Sequence, residues 1–127
     1  MQVEYLSEPA WQEKVGGSAT PVLVEFVGQT CPVCRQMAPA VERLADKYAG
    51  QVAVYRVDVG RELGLAVRYG VKGVPTFKLF CKGEPIAELA GGVYPALLEH
   101  LLKHALEHGS ECAQKRTKID YEITGYG

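Results

Sequence analysis

The order of strand-like and helix-like segments predicts an α/β fold of three layers, a central mixed β-sheet flanked by helices on both faces. Three observations carry this. Two runs, "PVLVEFV" (21–27) and "VAVYRVDV" (52–59), are rich in β-branched and aromatic residues, as strands covered on both faces are. Between and after them, apolar residues recur at helical spacing. The series then closes on two short strands joined through a glycine, so the order β-α-β-α-β-α-β-β-α asks for crossovers and one hairpin in a single sheet.

A brief strand around residues 3–6 comes first. In "SEPAWQEKV" Ser7 stands as N-cap and Pro9 just inside, the start of a short helix. After the strand at 21–27, the segment from Cys34 to Tyr48 sets Met37, Val41, Leu44 and Tyr48 on one face and ends near Gly50. Pro39 should kink it, because proline removes one ladder donor. Following the strand at 52–59, "RELGLAVRYG" reads as a short helix stopped by Gly70. "TFKLF" and "IAELA" form a hairpin turned at Gly83, with "CKGEP" between them. Pro95 opens the last helix, "PALLEHLLKHALEHG", with Leu97, Leu98, Leu101, Leu102 and Ala105 toward the core. Residues 1–109 therefore form one domain. Residues 110–127, "SECAQKRTKIDYEITGYG", are polar and lack a sustained period, the signature of a flexible tail.

With 127 residues, 47% of them hydrophobic, the chain can bury one real core. The net charge is -1 and the basic residues are scattered, which offers no field to hold nucleic acid or a membrane surface. No apolar run is long enough to span a bilayer, and the start lacks a cationic segment leading into an apolar one. A soluble, cytoplasmic monomer is expected. Four cysteines are too few for a scaffold built on disulfides.

"TCPVC" (30–34) is the chemical signal. The pair could be half a metal claw, a structural disulfide or a reversible electron carrier. A closed zinc site asks for four ligands, and Cys81 and Cys112 do not make a second close pair, so no metal is expected here. His100, His104 and His108 repeat every four residues along the margin of the leucine face. Without an acidic or cysteine partner they read as boundary residues. Cys112 reads as incidental, the alternative being a thiol open to glutathionylation or dimer formation.

For electron transfer one sulfur must be a thiolate. Cys31 sits where a helix begins, and the unpaired N–H groups and positive dipole end there favour the anion. Cys34, one turn further in and near Met37 and Ala38, should be more buried. That order makes Cys31 the nucleophile and Cys34 the resolving thiol. Pro32 and Val33, between them, tune the pair: Pro32 presets a helical φ and withholds one N–H donor.

"PVLVEFVGQTCPVCRQMAP", "VKGVPTF" and "KGEPIAELAGG" stand in the order and at the separations of the three landmarks of thioredoxin. Over residues 2–108 the chain resembles the thioredoxin family. The resemblance implies a thioredoxin-like fold and thiol–disulfide exchange on protein disulfide substrates. It also implies a thioredoxin-reductase-type electron donor and no bound cofactor, since the electrons reside on two sulfurs.

The resemblance assigns further residues. Glu25 interrupts an apolar strand six residues before Cys31, where thioredoxins carry a buried aspartate and protein disulfide isomerases a glutamate. Burial would raise its pKa and let it pass a proton to or from Cys34; the plain alternative is an edge glutamate facing water. Arg56 stands where thioredoxin has a lysine near that acid, or is an ordinary surface arginine. The Val74–Pro75 bond is implied to be cis and to lie against the cysteines, freeing the Val74 backbone to pair with an extended substrate. Gly91 matches the glycine that admits substrate on that face.

Two features depart from the family. Thr30 and Val27 replace the two tryptophans near the first cysteine, so the rim lacks aromatic anchors. The spacer Pro-Val differs from the usual Gly-Pro and shares its leading proline with glutaredoxins and periplasmic oxidants. Reduction or general exchange is the expected direction. The alternative is a thioredoxin-fold binding or assembly module whose redox pair is regulatory or vestigial. Lys78, inside "TFKLF", has no account at this level.

Overall fold

The structure is a computed structural model and describes residues 3–107 and 122–124. In chain order the elements are β1 (Glu4–Tyr5), α1 (Glu8–Trp11), β2 (Val22–Val27), α2 (Pro32–Lys47) and β3 (Ala53–Asp58). They continue as α3 (Leu63–Arg68), β4 (Thr76–Cys81), β5 (Glu84–Ala90), α4 (Pro95–Glu107) and β6 (Glu122–Thr124). The sheet runs β1-β3-β2-β4-β5-β6. β3 is parallel to β1 and β2, β4 is antiparallel to β2 and β5, and β6 is parallel to β5. This is the mixed sheet that the alternating order asked for.

Alternation along the strands sorts the core into two layers. Val22, Val24 and Phe26 of β2 face Trp11, Val15 of the wide π-type turn that continues α1, and Leu65 of α3. Leu23 of β2, with Phe77, Leu79 and Leu89, faces Met37, Val41 and Leu44 of α2 and Leu98, Leu101 and Leu102 of α4. β2 is buried along its whole length, which is why its sequence shows no polar period except at Glu25. Trp11 closes its layer with polar as well as apolar contact, its indole N–H donating to the Tyr69 hydroxyl at 3.0 Å.

Local expectations fared unevenly. Ser7 occupies the N-cap position, but its side chain caps nothing; the first helical N–H, that of Glu8, donates to Glu62 Oε1 at 2.8 Å. A carboxylate 54 residues away took the role, a partner no local pattern reveals. α2 begins at Pro32 and runs through Pro39 to Lys47 as one helix. The hairpin turn is only Lys82 and Gly83, both at positive φ (52° and 81°), so β4 and β5 claim the flanking residues of "CKGEP". Gly83 is required twice over, since a Cβ there would also sit 3.1 Å from the Gly16 Cα. Lys78 gains its account from β5: it is buried, and its ammonium pairs with Glu88 directly across the strand.

Residues 122–124 form β6, a strand that the sequence reading of 110–127 as a polar, flexible tail did not include. The rest of that segment, with Cys112, and also His108, lie outside the described residues. Cys81 ends β4 and is buried, and among the described residues no cysteine is free. Among the described residues, too, no three His, Cys, Asp or Glu side chains are gathered as a metal site, and no helix is long and apolar enough to cross a membrane.

One row of the sheet positions the site. Tyr5, Arg56, Glu25, Phe77 and Leu89 are successive cross-strand partners from β1 to β5. Partners in a ladder share a face, so Glu25 points toward α2, the helix that carries the cysteines. Lys78 and Glu88 belong to the next row and the opposite face.

Candidate active site

β2 ends at Val27, and four residues later Cys31 starts the next element. Cys31 is the N-cap of α2, its backbone extended (φ -110°, ψ 99°), and its Sγ accepts the Cys34 N–H at 3.1 Å. A sulfur has taken the place that a serine or aspartate oxygen fills in an ordinary cap. Pro32 at the first helical position loses no ladder bond, since that N–H would be unpaired in any case.

Cys31 and Cys34 are joined as a disulfide, with Cα atoms 5.2 Å apart. Val27 packs with them, and half-buried Val33 and Val74 close over the cluster. The expected difference in burial does not appear: Cys31 is 7% exposed and Cys34 6%. The disulfide draws both sulfurs into the same apolar patch. What differs is their surroundings. Thr30 and Pro32 beside Cys31 are exposed, whereas Cys34 lines a cleft of about 200 Å3 with Tyr5, Gln29, Ala38, Arg56 and Asp58.

The structure brings Val74, Pro75 and Gly91 to the same side. The Val74–Pro75 bond is cis. The Gly91 N–H donates to the Pro75 carbonyl at 2.8 Å, tying the end of β5 to the loop over the cysteines. Gly91 has φ 85°, a conformation that L side chains rarely adopt.

Glu25 is fully buried, and the edge alternative is excluded. Arg56 is 7% exposed, which also excludes an ordinary surface arginine. Its Nε donates to Glu25 Oε1 at 2.9 Å, one Nη to Glu42 Oε2 at 3.3 Å and the other to the Ala38 carbonyl at 3.4 Å. Glu25 Oε2 has no hydrogen-bond partner among the described residues. Burial pushes the Glu25 carboxyl above its ordinary pKa, Arg56 pulls back only part of the rise, and the nearby Glu42 charge adds to it.

Glu42 was not singled out from sequence. Its signal was present: Cys34, Ala38 and Glu42 are spaced by four and form a stripe along α2, the stripe against which Arg56 lies. Tyr5 and Asp58 were missed as well, because only the sheet order sets β1 and β3 beside the cysteine helix. His100 is exposed and His104 half-buried on α4, the helix that packs with the α2 layer of the core.

A thioredoxin family model matches residues 2–104. The chain belongs to the thioredoxin family. Its relatives include a chloroplastic M-type thioredoxin of Pisum sativum, 36% identical over 97 residues, which are 76% of this chain and 56% of that one. Chloroplastic thioredoxin M4 of Arabidopsis thaliana is 37% identical over 106 residues, 84% of this chain and 55% of the other. The chain thus spans little more than half the length of these two plant relatives. Thioredoxin 1 of Synechococcus elongatus is 32% identical over 100 residues, 78% of this chain and 94% of its own. In this thioredoxin-family member Val27, Val33 and Val74 pack around the disulfide, and Glu25 is buried on the face of the sheet that Arg56 and Glu42 share.

Proposed function

We propose that this chain is a protein thiol–disulfide oxidoreductase in which Cys31 attacks, Cys34 resolves and Glu25 carries the proton that Cys34 must lose. The observation that carries it is Cys31 Sγ at the helix cap, bonded to Cys34 and in reach of its N–H. When the pair is reduced, the same donor and the helix dipole remain to favour a Cys31 thiolate.

The chemistry balances on two sulfurs. The Cys31 thiolate bonds to one sulfur of a substrate disulfide, and the other leaves with the electron pair and takes a proton from water. Cys34 then gives its S–H proton to the Glu25 carboxylate, attacks Cys31 Sγ and expels the remaining substrate sulfur. Two electrons have passed from the dithiol to the substrate, and a reductase-type donor returns the pair to the reduced state. A carboxyl with its pKa raised by burial suits this step, since a stronger acid would not hold the proton. The cleft beside Cys34 supports the proton's return to water.

Exposed Thr30 and half-buried Val74 and Gly91, with buried Pro75 fixing the loop that carries Val74, form the surface offered to an extended substrate, recognised through backbone more than side chains. Pro32, Val33 and Arg56 tune the pair and its acid. A dithiol that works as a reductant needs a reducing pool, for which the cytoplasm is the proposed compartment.

The test is reduction of insulin with dithiothreitol as electron source. Wild type should accelerate it and Cys31→Ser should not; equal rates would sink the enzyme reading. That result would favour a binding module, the reading to which exposed Thr30 at an aromatic position of the rim lends support. Cys34→Ser should arrest the reaction at the mixed disulfide on Cys31, and mass spectrometry of the trapped adducts would name the clients.

A further inference from the structure

Arg56 is shared. Its guanidinium spans a fully buried carboxylate, Glu25, and a half-exposed one, Glu42, whose side chain is 38% accessible. A free guanidinium beside a buried carboxylate would ordinarily bind both of its oxygens side by side, the geometry in which the two planar groups match. Here it does not. One Nη is taken by Glu42 and the other by the Ala38 carbonyl, which leaves only Nε for Glu25 Oε1 and leaves Oε2 open.

We propose that Glu42 is a positioning residue for the resolving step: by holding one arm of Arg56 it keeps the guanidinium on a single oxygen of Glu25, so the other oxygen receives the Cys34 proton. The inference rests on the proton role of Glu25 proposed above and extends it to a residue that touches neither sulfur nor substrate.

The groups around Glu25 make this specific. From β3 comes Arg56, from α2 Glu42, which shares that guanidinium, and from β4 the apolar Phe77. Tyr5 of β1 lies beyond Arg56 in the same row. Lys78 and Glu88 are on the other face of the sheet. Asp58, further along β3, gives its Oδ1 to the Gly60 and Arg61 amides, so among the described residues Glu42 is the carboxylate seen to share Arg56 with Glu25. Its own charge acts in the same sense, making a second negative charge nearby less favourable.

The test compares Glu42→Gln, Glu42→Ala and Glu25→Gln with wild type. Rapid-quench kinetics separate attack by Cys31 from decay of the mixed disulfide, and the carbon-13 shift of the Glu25 carboxyl is followed against pH in the oxidised protein. Both Glu42 variants should move the Glu25 titration to lower pH and slow the resolving step by about threefold or more, with the first attack unchanged. Glu42→Ala should exceed Glu42→Gln, because the amide keeps an acceptor for the Arg56 arm. If Glu25→Gln slows resolution while the Glu42 variants match wild type in titration and rate, the positioning role is wrong and the proton role stands. Equal slowing of both steps by the Glu42 variants would also overturn it, as the mark of a merely structural change. If Glu25→Gln resolves as fast as wild type, both proposals fall.

Discussion

The Cys34 amide donates to the Cys31 sulfur from 3.1 Å, so the first residue of the redox pair caps the helix through the second. After reduction that donor faces a thiol able to ionise, and a charged acceptor strengthens the bond. Iodoacetamide at mildly acidic pH should therefore alkylate Cys31 at least about tenfold faster than free cysteine, with Cys34 far behind. Peptide mapping by mass spectrometry reads both sites at once. Equal rates at Cys31 and in a free-cysteine peptide would contradict the role given to the cap.

Glu25 predicts a pH dependence of stability with a definite sign. Its folded pKa lies above the unfolded value because burial disfavours the charge. Between the two values the folded protein holds a proton that the unfolded chain has released, so stability falls as pH rises through that window and remains lower above it. Glu25→Gln keeps an oxygen for Arg56 and has nothing to titrate. Urea unfolding of the oxidised protein across the window should show the decline in wild type and its absence in the variant; parallel curves would refute it.

Lys78 and Glu88 form a pair in which the ammonium side chain is 11% accessible and the carboxylate 31%. Removing one partner leaves the more buried charge unsupported. Glu88→Gln should cost about 1–2 kcal/mol, and adding Lys78→Met should restore most of it, because burying a methionine carries no desolvation penalty for charge. A double-mutant cycle in urea, which does not screen charge, measures the coupling.

Gly50 and Gly83 share nearly the same φ, 83° and 81°, but only Gly83 has a close neighbour, the Gly16 Cα, which would stand 3.1 Å from an added Cβ. Alanine at Gly50 should cost about 1 kcal/mol from backbone strain alone, and alanine at Gly83 clearly more. Thermal unfolding of the two variants gives the difference. Equal losses would mean that the hairpin turn moves freely away from Gly16.

Sequence carried the fold further than the site. Val22–Val27 announced a central strand because every position is buried, and Glu25 stood out for the same reason: an acid in such a run needs an explanation. The face of α2 was legible from Met37, Val41 and Leu44, whose spacing matches the turn of the helix. What escaped depended on distant partners. Glu62 replaced the Ser7 cap from another element, Lys78 waited for Glu88 across the hairpin, and Glu42 acquired meaning only when β3 set Arg56 against α2. The equal burial of Cys31 and Cys34 was hidden for a different reason, since it belongs to the bonded state of the pair rather than to either residue. β6 is three residues long, too short for a period of two to register.

That short strand changes what the sheet exposes to other molecules. Without it the seven residues of β5 would present a row of unpaired amides and carbonyls, a template on which a second chain could grow. With β6 against Glu88–Ala90 the far end of β5 is covered, and on the other side the margin is the two-residue β1. Among the described residues the sheet thereby offers a second chain a shorter edge to grow upon than β5 alone would.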